Sequence, residues 1–103
     1  MTITRVWRGW TSKSAADDYQ RFLLTQLFPS MCCISGFLGA DVLRRDDGDA
    51  TAFVILTCFR SFDDIKAFAG DELDVAVIEP QAAKLLARHD EHATHYETIH
   101  FNA

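Results

Sequence analysis

Apolar and polar residues alternate where the chain begins. Thr2–Trp10, TITRVWRGW, is rich in β-branched and aromatic residues and predicts a first strand. The period then lengthens. Tyr19, Phe22, Leu23, Gln26 and Leu27 fall at i, i+3, i+4, i+7 and i+8, a largely apolar stripe on one face of a helix. Ser14 with Asp17 three residues on resembles a capping box, and Pro29 is expected to end this helix. GFLGADVLRR and ATAFVILTCFR then predict two strands joined by the Asp-Gly turn of DDGDA. From Phe53 to Phe59 the second of these is apolar on both faces, which marks a central strand covered on both sides. Ser61 as N-cap, Asp64 behind it and Gly70 as a stop bound a second helix. EPQAAKLLARHD predicts a third, with Pro80 in its first turn. RHDEHATHYETIHF, residues 88–101, closes the pattern as a final strand.

The order β-α-β-β-α-α-β is the ferredoxin-like split β-α-β arrangement of an α+β domain. It implies a four-stranded antiparallel sheet with helices on one face, in a single domain over residues 1–103. The second apolar face of the central strand then needs a cover that one chain does not supply. A second copy can supply it, so a homodimer is expected, its two sheets closing a barrel across a two-fold axis.

Composition narrows the partners. Ten basic against fifteen acidic residues give a net charge of -5, without the clustered cations of a nucleic-acid footprint. No apolar run approaches the roughly 20 residues that span a bilayer, so no membrane partner is expected. The first residues alternate and carry two arginines, unlike a signal peptide. Three cysteines without a C-x-x-C pair are read as reduced thiols in a cytoplasmic protein.

Two stretches, GFLGADVLRRDDGDATAFVILTCFRSFDDIKAFAG and AVIEPQAAKLLARHDEHATHYE, resemble the antibiotic biosynthesis monooxygenase domains in spacing and texture. That family consists of small dimeric α+β barrels, and the resemblance runs from Ile3 to about His100. It implies, for some members, oxidation of quinols or anthrones by dioxygen without metal or flavin. Other members degrade haem or isomerise small metabolites. The haem-degrading branch uses an Asn, a Trp and a His at positions that fall here at Trp7, Phe59 and about Ile78; none of the three matches.

Residues 88–101 hold all four histidines, His89, His92, His95 and His100. Along a strand, His92 and His100 share a face but lie about 26 Å apart, and His95 points the other way. Zinc needs ligand nitrogens about 2 Å from one point, so no metal is expected. No phosphate-binding glycine loop or nucleotide fingerprint occurs, and no cofactor is expected either. His95 shares its face with Ala93, Glu97, Ile99 and Phe101. A neutral imidazole on such a face can act as a general base near neutral pH. His95 is therefore the first catalytic candidate, and His89, at the exit of the third helix, the second. The candidates for binding a flat substrate are Trp7, Phe22 and Phe59 as walls, Tyr96 as an orienting hydroxyl and Arg60 at the mouth. Arg5 and Arg8 lie on opposite faces of the first strand.

Together these readings point to cofactor-independent monooxygenation of a small aromatic or quinol-like compound. The competing readings are a non-catalytic small-molecule-binding or stress-related domain, and a metabolite isomerase on the same fold.

Overall fold

A computed structural model describes the whole sequence, Met1–Ala103. Strands β1 (Thr2–Ser12), β2 (Phe37–Asp47), β3 (Ala50–Phe59), β4 (Leu86–His89) and β5 (Thr94–Thr98) form one antiparallel sheet. The spatial order is β2-β3-β1, and both β4 and β5 pair with the far edge of β1. Helices α1 (Ala16–Phe22), α2 (Phe28–Met31), α3 (Phe62–Ala69) and α4 (Pro80–Leu85) supply the layer that packs on one face. This is the expected ferredoxin-like α+β architecture, with five strands where four were expected.

The fifth strand comes from the expected third helix. That helix stops at Leu85, and Leu86–His89 is extended. It pairs with Gly9–Thr11 of β1, while β5 pairs with Thr2–Val6, so β4 and β5 are two halves of one broken edge strand. Gly9 makes the first half fit. A Cβ at Gly9 would lie 2.9 Å from Leu86 Cδ2 and 3.2 Å from the Trp7 ring. His89 accordingly sits on a strand and not at a helix exit.

The first helix also departs from expectation. Ser12, not Ser14, is the cap: its Oγ accepts from Ala15 N at 3.2 Å at the head of a short 3-10 turn, Lys13–Ala15. Pro29 does not end the helical run. A π-turn, Leu23–Leu27, links α1 to α2, with Pro29 at the start of α2. Proline has no N–H and its ring crowds the carbonyl four residues back, here that of Thr25. A wider π-turn precedes Pro29, with Phe28 N donating to the Leu23 carbonyl, and the chain remains helical. The second helix follows its sequence signals: Ser61 Oγ accepts from Asp64 N at 3.3 Å, and Gly70 ends it at φ 80°.

Alternation places the core. Thr51, Phe53, Ile55, Thr57 and Phe59 of β3 are buried beneath the helices. Tyr19 meets Phe53 edge-on, ring centroids 4.9 Å apart. The intervening Ala52, Val54, Leu56 and Cys58 are half-buried on the outer face. The final strand is shorter than expected. His92 forms only an isolated bridge with Val75, and Ile99 and Phe101 lie past the strand end, 92% and 86% exposed. The apolar face expected around His95 is therefore reduced to buried Ala93 on its own segment.

Candidate active site

Strand pairing builds a row of polar side chains under the helices. Thr57 of β3 stands opposite Arg5 of β1, and Arg5 opposite His95 of β5. All three face inward, on the same side as Ile3, Trp7 and Phe53. Arg5 is only 4% exposed. Its Nη1 donates to the Leu73 carbonyl and, at 3.0 Å, to His95 Nε2; Nη2 donates to the Val75 carbonyl at 2.9 Å. The Phe68 ring lies 5.6 Å from Cζ.

This arrangement fixes the histidine's tautomer. An arginine has donors only, so His95 Nε2 must accept. The ring proton then sits on Nδ1, which donates to Asp74 Oδ1 at 3.0 Å. The imidazole is 6% exposed at its side chain and stacks edge-on against Phe62. Burial, then the Arg5 charge, push its pKa below the ordinary histidine value, and Asp74 only partly opposes them. His95 is thus neutral at neutral pH, with both nitrogens engaged.

Arg5 takes part in none of the molecule's ion pairs. Burial pushes its pKa down and Asp74 pulls it back, but a guanidinium remains charged in a protein. A buried cation normally has a carboxylate in contact. Here the nearest relay to one runs through His95.

A cavity of about 40 Å³ opens against Arg5. Trp7, Phe22, Phe28 and Phe68 wall it, and Val77–Glu79, from the segment between α3 and α4, close another side. Its polar lining is Arg5, Tyr19, Thr57 and Glu79. Every buried polar side-chain atom in the molecule has a partner. Arg5 Nε, Tyr19 Oη and Thr57 Oγ1 make no hydrogen bond, so each must open on accessible space although their residues are 4%, 1% and 6% exposed. Burial raises the Tyr19 pKa strongly, so its phenol stays protonated and able to donate.

Of the candidates named from the sequence, Trp7 and Phe22 line this cavity. The Trp7 indole is anchored by Nε1 donating to the Asp90 carbonyl at 2.8 Å. Phe59 is fully buried behind the cavity, against Phe37 and Phe68. Tyr96 is 56% exposed on the outer face, and Arg60 is exposed at the end of β3. His95 borders Arg5 without lining the cavity; His89 is exposed, its Nδ1 donating to the Asp90 carbonyl at 2.9 Å. The sequence reading missed Arg5, Tyr19, Thr57 and Glu79 as a group. One signal was there: in Ile3-Arg5-Trp7 a charge occupies an inward position of an alternating strand.

No protein-family model matches the chain, and no curated protein matches it. Solved structures do. SnoaB, a cofactor-independent oxygenase from Streptomyces nogalater, superposes with a TM-score of 0.61 at 17% identity over 97% of this chain and 95% of that one. A candidate antibiotic biosynthesis monooxygenase from Chloroflexus aurantiacus gives 0.64 at 17% identity, over 100% and 98%. A dimeric ferredoxin-like protein from an uncultured marine organism gives 0.60 at 10% identity, over 100% and 99%. At such identities the likeness establishes the fold. This chain has the ferredoxin-like α+β fold of the structures assigned to antibiotic biosynthesis monooxygenases, as its spacing and texture suggested. No helix is long and apolar enough to cross a membrane.

Proposed function

We propose that the protein oxidises a small aromatic or quinol-like compound with dioxygen, using its own side chains and no cofactor. The observation that carries this reading is the aromatic-walled cavity with one unpaired buried cation at its floor. The fold it shares with SnoaB supports it. An oxygen-bearing ring bound against Arg5 is acidified, because the guanidinium favours its ionised form. Glu79 is the carboxylate on the cavity wall, and we assign it the role of proton acceptor. His95 and His89 were the first choices for that role. His95 offers no free lone pair while Arg5 donates to it, and His89 lies outside the cavity lining.

The electron-rich anion passes one electron to dioxygen. The radical and superoxide combine into a peroxide anion, which takes back the proton. Loss of water leaves a carbonyl. Net, a ring CH2 and O2 give C=O and H2O, and every electron comes from the substrate. Aerobic assays with a quinol and anthrone panel test this: oxygen uptake should equal product formed, one to one. Product formed without oxygen would instead mark an isomerase, and neither signal would leave a binding domain.

The outer sheet face bears Leu43 and Tyr96, 51% and 56% exposed, beside a groove lined by Leu38, Leu56, Cys58 and Thr98. We assign this face to a second copy of the chain; the ferredoxin-like protein from the uncultured marine organism, similar in fold, is described as dimeric. Its free cysteines suit the reducing cytoplasm, where we place it.

A further inference from the structure

Arg5, Tyr19 and Thr57 line one small apolar cavity, and their Nε, Oη and Oγ1 atoms make no protein hydrogen bond yet keep accessible surface. Such donors are free to bind a ligand, because the polar atoms buried around them already have their partners. Their chemistry is one-sided. Arg5 Nε–H donates and carries the charge. The Tyr19 hydroxyl, held in its protonated form, donates. The Thr57 hydroxyl, opposite Arg5 across the strand pair, can do either. Together they match an oxygen atom that accepts several hydrogen bonds and bears negative charge.

We propose that the cavity recognises its ligand through one anionic oxygen on a flat ring, held by Arg5, Tyr19 and Thr57, with His95 and Asp74 as the positioning couple that aims Arg5. This rests on the oxygenase reading and extends it to the ionisation state of the bound compound. The aiming follows from donor counting. Both hydrogens of Nη1 are committed, to Leu73 and His95, and Nη2 is tied to Val75. The guanidinium plane is thereby fixed, and Nε–H and the second Nη2 hydrogen are left as free donors. His95 can accept from Arg5 only as the Nδ1–H tautomer, and the Asp74 carboxylate selects that tautomer. A ring needs more room than the cavity's about 40 Å³. The wall that can yield is Val77–Glu79, which belongs to neither helix nor strand.

Binding is measured by calorimetry with 4-nitrophenol at a pH where it is ionised, with benzoate, and with neutral nitrobenzene. The first two arms separate a phenolate from a carboxylate as the source of the oxygen. A charge-assisted hydrogen bond in a buried site is expected to favour one of the anions over nitrobenzene by about ten- to a hundredfold. Tyr19→Phe and Arg5→Met should erase most of this preference while nitrobenzene binding persists. His95→Ala should lower the anion-to-neutral ratio, and His95→Gln should restore it, because an amide can accept from Arg5 and donate to Asp74. A merely structural loss would weaken all three ligands alike. If Arg5→Met does not fold, Tyr19→Phe and the His95 pair still decide. Equal binding of anions and nitrobenzene by the wild type, or a ratio unchanged in Tyr19→Phe and in His95→Ala, overturns the proposal. A strong anion preference without oxygen uptake on any substrate supports it while ending the oxygenase reading.

Discussion

His95 shows how one contact decides a side chain's chemistry. An imidazole in an apolar setting is a serviceable base only if a lone pair is free. Here Arg5 takes it, and burial, with the Arg5 charge behind it, keeps the ring neutral. The consequence for stability has a definite sign. The unfolded chain takes up the histidine proton as pH falls through about 6.5, whereas the folded chain resists until its depressed pKa is reached. In that window the unfolded state binds more protons, so stability is lost as pH falls; above it His95 contributes no slope. Urea denaturation of wild type and His95→Gln across the acidic range isolates the effect. The wild-type curve should drop more steeply below about pH 6.5 than that of His95→Gln. Parallel curves would mean that the folded state does not hold His95 neutral. The pattern of the sequence could place His95 on an inward face. It could not show that Arg5 stands directly opposite, because that depends on the pairing register of β1 with β5.

At the level of elements, the readable ones are those whose period is unambiguous. β1 alternates, β3 is a continuous apolar run bounded by a turn, and the Ser61–Gly70 helix carries both a cap and a stop. Leu86–His89 falls in the expected helix EPQAAKLLARHD because its residues suit one, although Arg88 and His89 also open the expected final strand. Its strand state is imposed from outside, by the edge of β1 and by the space Gly9 leaves. The Pro29 run failed for the converse reason: a π-turn is a local rearrangement that no hydrophobic period announces. The site inherits these limits. Tyr19 and Thr57 were hidden inside apolar patterns, and only the assembled layers bring them to one cavity. The edge offers a direct test. Gly9→Ala would push a methyl into Leu86 and the Trp7 ring, contacts of 2.9 and 3.2 Å. Overpacking of this kind costs about 1–3 kcal/mol. Chemical denaturation should show that loss, and the Trp7 emission should shift as the indole moves. An unchanged midpoint would show that β4 is not held against β1 through Gly9.

The whole molecule has two apolar faces and covers one. Its inner layer is complete within a single chain: the core from Ile3 to Ala82 and every residue lining the cavity lie under the helices. The outer face presents Val54, Leu56 and Leu43 to whatever lies beyond the sheet. Association and ligand binding should therefore separate cleanly. Light scattering is expected to give twice the 11.6 kDa chain mass. Leu56→Lys puts a charge at the centre of the outer face, where β3 runs between Val6 and Asp41 on its neighbours. Burying that ammonium between two sheets is far costlier than leaving it in water, so the variant should be monomeric. Its circular dichroism should remain native, because no inner-layer contact changes. Its preference for a phenolate over nitrobenzene should remain as well, since Arg5, Tyr19 and Thr57 lie on the opposite side of the sheet. A wild-type protein that runs as an 11.6 kDa monomer with native spectra would remove the outer face as an interface. A monomeric Leu56→Lys that loses the anion preference would show instead that the dimer holds the cavity in shape, and that the two faces of this sheet work as one.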